Sequence, residues 1–301
     1  MTEKPTVSQD MIDLYDSFTH SNGTTSRRDL IASIARLAGS VAAATALLPL
    51  IEARAEAASL TAETDPRLVI DRMSFAMTGG RRMTGYMVQP KGGTDRLPKV
   101  MVIHENRGLT EQIRDVTRRL ALAGHVAFAP DFLTSVGETP RTGDGTTSAD
   151  DIARTMIGQL DRGMVIKDGV GSLEWLDGFN HGKGIPGAVG FCWGGGLINS
   201  LAIAAGKKLR AGVAYYGPAP ADLTDVSRIK ARLMMHYAGL DERINAGAPA
   251  WEAALKATGV KFEAHLYPGV NHAFNNDTSA ARFNQAAADL AWGRTLAWLK
   301  L

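Results

Sequence analysis

The chain has 301 residues, a formal net charge of +2, 45% hydrophobic residues and a single cysteine. That is enough for one full α/β core, and no Pro/Gly/Ser linker or internal repeat divides it. The near-neutral balance, with no basic block beyond Arg81-Arg82 and Arg118-Arg119, gives no electrostatic footprint for nucleic acid, and one cysteine excludes an intramolecular disulfide or a cysteine-based metal site.

Ser26-Arg27-Arg28-Asp29-Leu30-Ile31 is a twin-arginine pattern. An Ala-rich apolar stretch over 37–51 follows, and Ala53-Arg54-Ala55 fits a small-x-small cleavage site. Residues 1–55 therefore read as an export signal that engages the twin-arginine machinery. Its removal would leave a mature single-domain chain, 56–301, in the periplasm or otherwise exported. The stretch is too short, and Arg36 lies too close, for a good membrane span, so no stable span is expected in the mature chain. Asp10, Asp13 and Asp16 ahead of the arginines, and Asp29 directly after them, depart from the usual pattern. The alternative is a cytoplasmic protein with an amphipathic N-terminal helix.

Beyond the signal, alternating runs at 67–77 and 82–88, separated by Gly79-Gly80, predict an antiparallel hairpin. The continuous apolar run 99–104 predicts a strand buried on both faces. Apolar residues at Ile113, Val116, Leu120 and Ala121 predict a helix over 110–123, stopped by Gly124. A strand over 125–129 follows, then a Thr/Gly/Ser/Asp-rich loop over 134–149 long enough to be a lid. Residues 150–175 read as helical, with several glycines as breaks. Further strands are expected at 185–189, 211–216, 231–237 and 261–267, and helices at 197–205, 249–258 and 280–299. This rhythm predicts a mostly parallel sheet with helices on both faces, and a ligand site beyond the carboxyl ends of its strands.

The cysteine lies in Gly190-Phe191-Cys192-Trp193-Gly194-Gly195-Gly196, between a strand and a helix. A nucleophile on a strand-to-helix turn, with glycine two residues to either side, is the nucleophile elbow of the α/β-hydrolase fold. Side chains two residues away would strike the neighbouring strand or helix, and the nucleophile itself takes a strained backbone. The chain order of that fold, nucleophile then acid then histidine, is met by Cys192, Asp241 and His272, each just after a predicted strand. His272 would hold the thiol as thiolate and later protonate the leaving group. Asp241 would fix the imidazole tautomer. Asp222, Asp225 and Glu242 compete for the acid's role, and His236 and His265 for the base's. The oxyanion hole would use the backbone N–H of Trp193 and that of Asn106, on the loop after the strand ending at His104.

These motifs, with His-Tyr-Ala-Gly-Leu-Asp, Tyr-Pro-Gly-Val-Asn-His-Ala-Phe and Val-Ile-His-Glu-Asn-Arg-Gly, resemble the dienelactone hydrolase family over about residues 65–300. The resemblance implies an ester or lactone hydrolase acting through a Cys192 thioester, with no metal or organic cofactor and a small-molecule substrate. It also implies that Glu105 contacts the thiol at rest and shifts when substrate binds, and that Tyr215 and Tyr216 border the substrate pocket. In one position the chain departs from the family: Asn276 stands where an arginine, four residues after the histidine, helps hold the substrate carboxylate. Arg107, Arg141 or Arg282 would have to substitute, or Asn276 would contact the substrate itself. The competing expectation is a non-catalytic α/β-hydrolase scaffold that binds a ligand or partner.

Overall fold

A computed structural model describes residues 6–19, 25–52, 60–93, 95–144 and 147–300. In chain order the elements are α1 (Gln9–Thr19), α2 (Arg27–Ala38), α3 (Val41–Ile51), β1 (Leu68–Ala76), β2 (Arg82–Pro90), β3 (Pro98–Ile103), α4 (Glu111–Leu122), β4 (Val126–Pro130), α5 (Ala149–Gln159), α6 (Arg162–Asp177), β5 (Lys183–Phe191), α7 (Trp193–Ala205), β6 (Ala211–Tyr215), β7 (Arg232–Ala238), α8 (Glu242–Asn245), α9 (Ala248–Ala257), β8 (Phe262–Tyr267) and α10 (Gln285–Lys300).

Strand periodicity builds the two faces of the core. In β3, Val100 and Val102 pack on one side with Ile113, Val116 and Leu120 of α4 and Trp298 and Leu299 of α10. Met101 and Ile103 point to the other side, against Leu173 and Leu176 of α6, Ile198 and Leu201 of α7, and Trp251 of α9. Alternating side chains on opposite faces, both apolar, is what a sheet sandwiched between two helix layers requires. The eight strands lie in the order β1-β2-β4-β3-β5-β6-β7-β8. The β1–β2 and β2–β4 pairs are antiparallel and the rest are parallel. The carboxyl ends of β3 and β5 to β8 therefore share one edge. This is the α/β-hydrolase fold anticipated from the sequence.

Two stretches gain detail in the structure. The stretch 150–175 is two helices, because Asp161 caps a new start by accepting from Met164 N–H at 2.7 Å. The loop 134–149 is tied down over its first part: Asp131 accepts from the N–H and hydroxyl of Thr139, each at 2.8 Å.

The N-terminal residues form a three-helix unit with its own small core of Met11, Tyr15, Ile34, Leu47 and Ile51. Ser26 and Asp29 make a reciprocal capping box at the start of α2, which gives Asp29 a local reason. Arg27 pairs with Glu52 at 2.7 Å and with Asp151 at 3.2 Å. The unit docks on the sheet's carboxyl edge through Asp16–Arg282 at 2.6 Å and Ser279 Oγ to Ile51 C=O at 2.8 Å. The Ala53-Arg54-Ala55 cleavage motif lies outside the described residues. Among those described, no single helix is long and apolar enough to cross a membrane.

Candidate active site

Cys192 ends β5 with φ 55° and ψ −114°, a conformation costly for any residue with a side chain. The cost is met by its surroundings. Cys192 N–H is held by Tyr215 C=O at 3.0 Å. A Cβ on Gly190 would sit 2.2 Å from the Gly194 carbonyl oxygen, and one on Gly194 would lie 2.5 Å from the carbonyl oxygens of Ile103 and His104. Only glycine lets β5, the turn and α7 approach this closely. Cys192 is buried, 6% exposed as a residue, and borders a small cavity.

Asp241 and His272 follow β7 and β8. Their loops are stitched together by Gly239 N–H to Tyr267 C=O at 2.8 Å and Leu240 N–H to Val270 C=O at 3.0 Å. His272 Nδ1 meets Asp241 Oδ2 at 2.5 Å, and Asp241 Oδ1 accepts from the N–H of Ile244 at 3.2 Å. Burial alone would lower the His272 pKa. The Cys192 thiolate and the Asp241 carboxylate outweigh it and push the imidazole up to about 10. Burial works against the Asp241 carboxylate too, but the His272 charge keeps it below its ordinary value. The other candidates lie elsewhere: His236 bonds Tyr267 Oη and Thr295 Oγ1 inside the core, and His265 pairs with Glu263. Asp222 binds Thr224 and Asp225 binds Arg228, on exposed turns.

Glu105 and Asn106 follow β3. Glu105 is buried, and its Oε2 accepts from Arg107 at 2.6 Å and from Asn276 Nδ2 at 3.2 Å. Burial raises the carboxyl pKa, and the Arg107 guanidinium more than offsets that. Among the described residues Oε1 has no hydrogen-bond partner. Trp193 is the first residue of α7, where a backbone N–H has no acceptor within the helix.

A residue the sequence reading passed over shapes this corner. His104 is fully buried, its Nδ1 bonds Glu105 C=O at 2.7 Å, and its Nε2 accepts from Phe132 N–H at 3.2 Å. That arrangement requires a neutral ring with the proton on Nδ1. The ring stacks on Trp193, centroids 5.3 Å apart, and so joins the two loops that carry Asn106 and Trp193. Its signal in the sequence was only its place at the end of an apolar run.

The expected substrate-contact residues divide. Tyr216 is in place: its φ of 38° turns the ring out of the strand and against His272, centroids 4.9 Å apart. Its hydroxyl is buried without a partner. Burial, then the Glu105 charge, keep that hydroxyl protonated. Tyr215 is not in the site, because strand alternation sends its hydroxyl to Thr295 at 2.7 Å beneath the sheet. Asn276 is fully buried and donates to Glu105, so it stands behind the carboxylate. Arg141 is exposed, its charge acting on Glu138. Arg107 and Arg282 both border a small cavity of about 20 Å³ over Cys192 and His272, with room for about one water. Tyr15 and Thr19 of α1 close it. Among the described residues no group of three or more His, Cys, Asp or Glu could hold a metal ion.

The model of the dienelactone hydrolase family matches residues 83–301. A protein of Escherichia coli O157:H7 named a carboxymethylenebutenolidase is 30% identical over 256 residues, covering 81% of this chain and 91% of its own. One of Saccharolobus solfataricus with the same name is 28% identical, covering 77% and 98%. A crystal structure described as a dienelactone hydrolase from Klebsiella pneumoniae superposes with a TM-score of 0.69 at 26% identity, covering 77% of this chain and 98% of its own. The chain belongs to the dienelactone hydrolase family, and it is a hydrolase of esters or lactones.

Proposed function

We propose that the chain cleaves a lactone or activated carboxylic ester by covalent catalysis through Cys192. The observation that supports this most is one cysteine on a strained strand–helix turn, bordering the same small cavity as a histidine that Asp241 holds at 2.5 Å. Cys192 Sγ attacks the carbonyl carbon, and the carbonyl electron pair moves to oxygen. The N–H groups of Asn106 and Trp193 stabilise that oxyanion. Collapse expels the alkoxide, which takes its proton from the His272 imidazolium. In a lactone the alkoxide stays tethered to the acyl group. His272 then deprotonates water, hydroxide adds to the thioester, and the carboxylic acid leaves as the thiolate returns. Asp241 keeps the Nδ1 proton in place throughout. Glu105, whose Oε1 has no hydrogen-bond partner among the described residues, contacts Cys192 Sγ at rest and withdraws when the acyl group enters.

The test is Cys192→Ala in the full chain against aryl esters, small lactones and dienelactone. The fold should persist, read as an unchanged far-UV spectrum and melting transition, while turnover falls to background. Turnover at the wild-type level would remove Cys192 from the mechanism.

We also propose export of the precursor by the twin-arginine route, on the strength of Ser26 to Ile31. Intact mass of the protein recovered from the periplasmic fraction tests it. A chain beginning near Glu56 supports the reading, and a full-length chain confined to the cytoplasm rejects it.

A further inference from the structure

A cavity of about 710 Å³ lies beside the catalytic pocket, between α1 and α2 on one side and α5 and α7 on the other. Its walls include Phe18, Ile157, Leu160, Val165, Trp193 and Leu197. It shares Thr19, Asn106 and Arg154 with the small cavity over Cys192. At that shared wall Asn106 Nδ2 donates to Thr19 C=O at 2.9 Å. The Thr19–Asn106 hydrogen bond thus lies on the wall that the large chamber shares with the small cavity over the nucleophile. Both chambers meet at Asn106, and the large one also reaches Trp193.

We propose that this chamber binds the apolar part of an uncharged ester, an alkyl or aryl group well beyond the size of a small lactone, and that the Thr19–Asn106 contact opens to admit the reacting carbonyl. The inference rests on the hydrolase reading and names its substrate class. Volume carries the first part: 710 Å³ is in the range that encloses a drug-sized molecule. Charge carries the second. Arg27 and Arg154 both line the chamber, and both are engaged by the Asp151 carboxylate between them, so a substrate anion would compete with Asp151 for them. Arg162 is exposed at the rim, its guanidinium on Ser200 Oγ at 3.3 Å. A charged substrate would have to break these pairs, whereas an apolar group needs only the ring and aliphatic walls. Phe18, Thr19 and residues 25–27 come from the N-terminal unit, so the chamber exists only in the uncleaved chain, and removal of residues 1–55 on export would take away this wall and the Thr19–Asn106 contact.

The experiment uses the full chain, its Thr155→Trp and Ile157→Trp variants, and two substrate series. One lengthens the acyl group of 4-nitrophenyl esters from acetate to octanoate, and the other lengthens the alcohol of alkyl acetates. Thr155 is exposed and Ile157 half-buried on the cavity side of α5, so an indole there fills the chamber with little demand on the core. In at least one series kcat/KM should rise ten-fold or more with length, mainly through KM. Either variant should cut that long-to-short ratio at least ten-fold. Binding of 4-nitrophenyl octyl ether, measured calorimetrically, should weaken in parallel. Shortest-substrate preference in both series, or unchanged ratios in folded variants, overturns the proposal. So does a wild-type chain that fails to bind the ether. Absence of turnover with every ester would instead count against the hydrolase reading, and ether binding that weakens in the variants would still uphold the chamber.

Discussion

Asn276 Nδ2 donates to Glu105 Oε2 at 3.2 Å, on the same oxygen that Arg107 holds at 2.6 Å. Asn276, read from the sequence as a substrate contact, is thus a buried partner of Glu105. Two buried donors hold one carboxylate oxygen, while the other has no hydrogen-bond partner among the described residues.

Arg107→Ala should expose how much Glu105 depends on this clamp. Removing one partner of a buried pair strands the other charge, a loss of about 3–5 kcal/mol. Burial would then dominate and raise the Glu105 pKa. In the wild type that pKa is depressed, so its contribution to stability is present above the ordinary carboxylate value and is lost as pH falls through the folded value. The melting temperature of Arg107→Ala should accordingly be lower at pH 7, and the gap to wild type should narrow toward pH 4. A variant with wild-type stability at pH 7 would show that the pair contributes nothing.

The His272 proton is the second readout. With its folded pKa raised to about 10, the imidazolium should persist well above pH 8 in a ¹⁵N titration. In Cys192→Ala one of the two anions is gone, and the pKa should fall toward 6.5. The sign for stability follows: the contribution of His272 is fully present below about 6.5 and is lost as pH rises through the folded value. A wild-type His272 that titrates near 6.5 would contradict the ion pair.

Asp241→Asn keeps the size of the side chain but removes its charge and changes the tautomer it supports. Turnover should fall on the order of 10²–10⁴-fold. A loss below three-fold would mean that His272 is oriented by something else.

Two glycine substitutions should act in opposite directions. Gly190→Ala drives a Cβ to 2.2 Å from a backbone oxygen and should abolish soluble protein or lower its melting temperature sharply. Gly293 is exposed in α10 with nothing within 4 Å of its added Cβ. Gly293→Ala should therefore stabilise by about 0.8 kcal/mol. Equal effects of the two would undermine the account of the elbow.

The sheet, the elbow and the order Cys192, Asp241, His272 were legible because each depends on local signals: apolar runs, punctuating glycines and strand ends. What escaped was set by packing between distant segments. Whether Tyr215 or Tyr216 faces the site depends on where β6 ends, and a one-residue choice reverses the face. Asn276 could be placed by spacing, but its partner Glu105 lies 171 residues away. The N-terminal segment carried two overlapping patterns. Ser26-Arg27-Arg28-Asp29 serves a twin-arginine motif and a capping box equally well, and long-range pairs such as Asp16–Arg282 and Arg27–Asp151 reveal how it sits on the body.

The central claim is a covalent acyl group on Cys192, and acid-quenched intact mass followed by peptide mapping tests it most directly. The full chain, mixed with an aryl ester or lactone that it turns over, should gain the mass of the acyl group on the peptide that contains Cys192, and Cys192→Ala should gain none. Turnover by wild type with the acyl group on another residue, or equal labelling of the Cys192→Ala variant, would contradict the account.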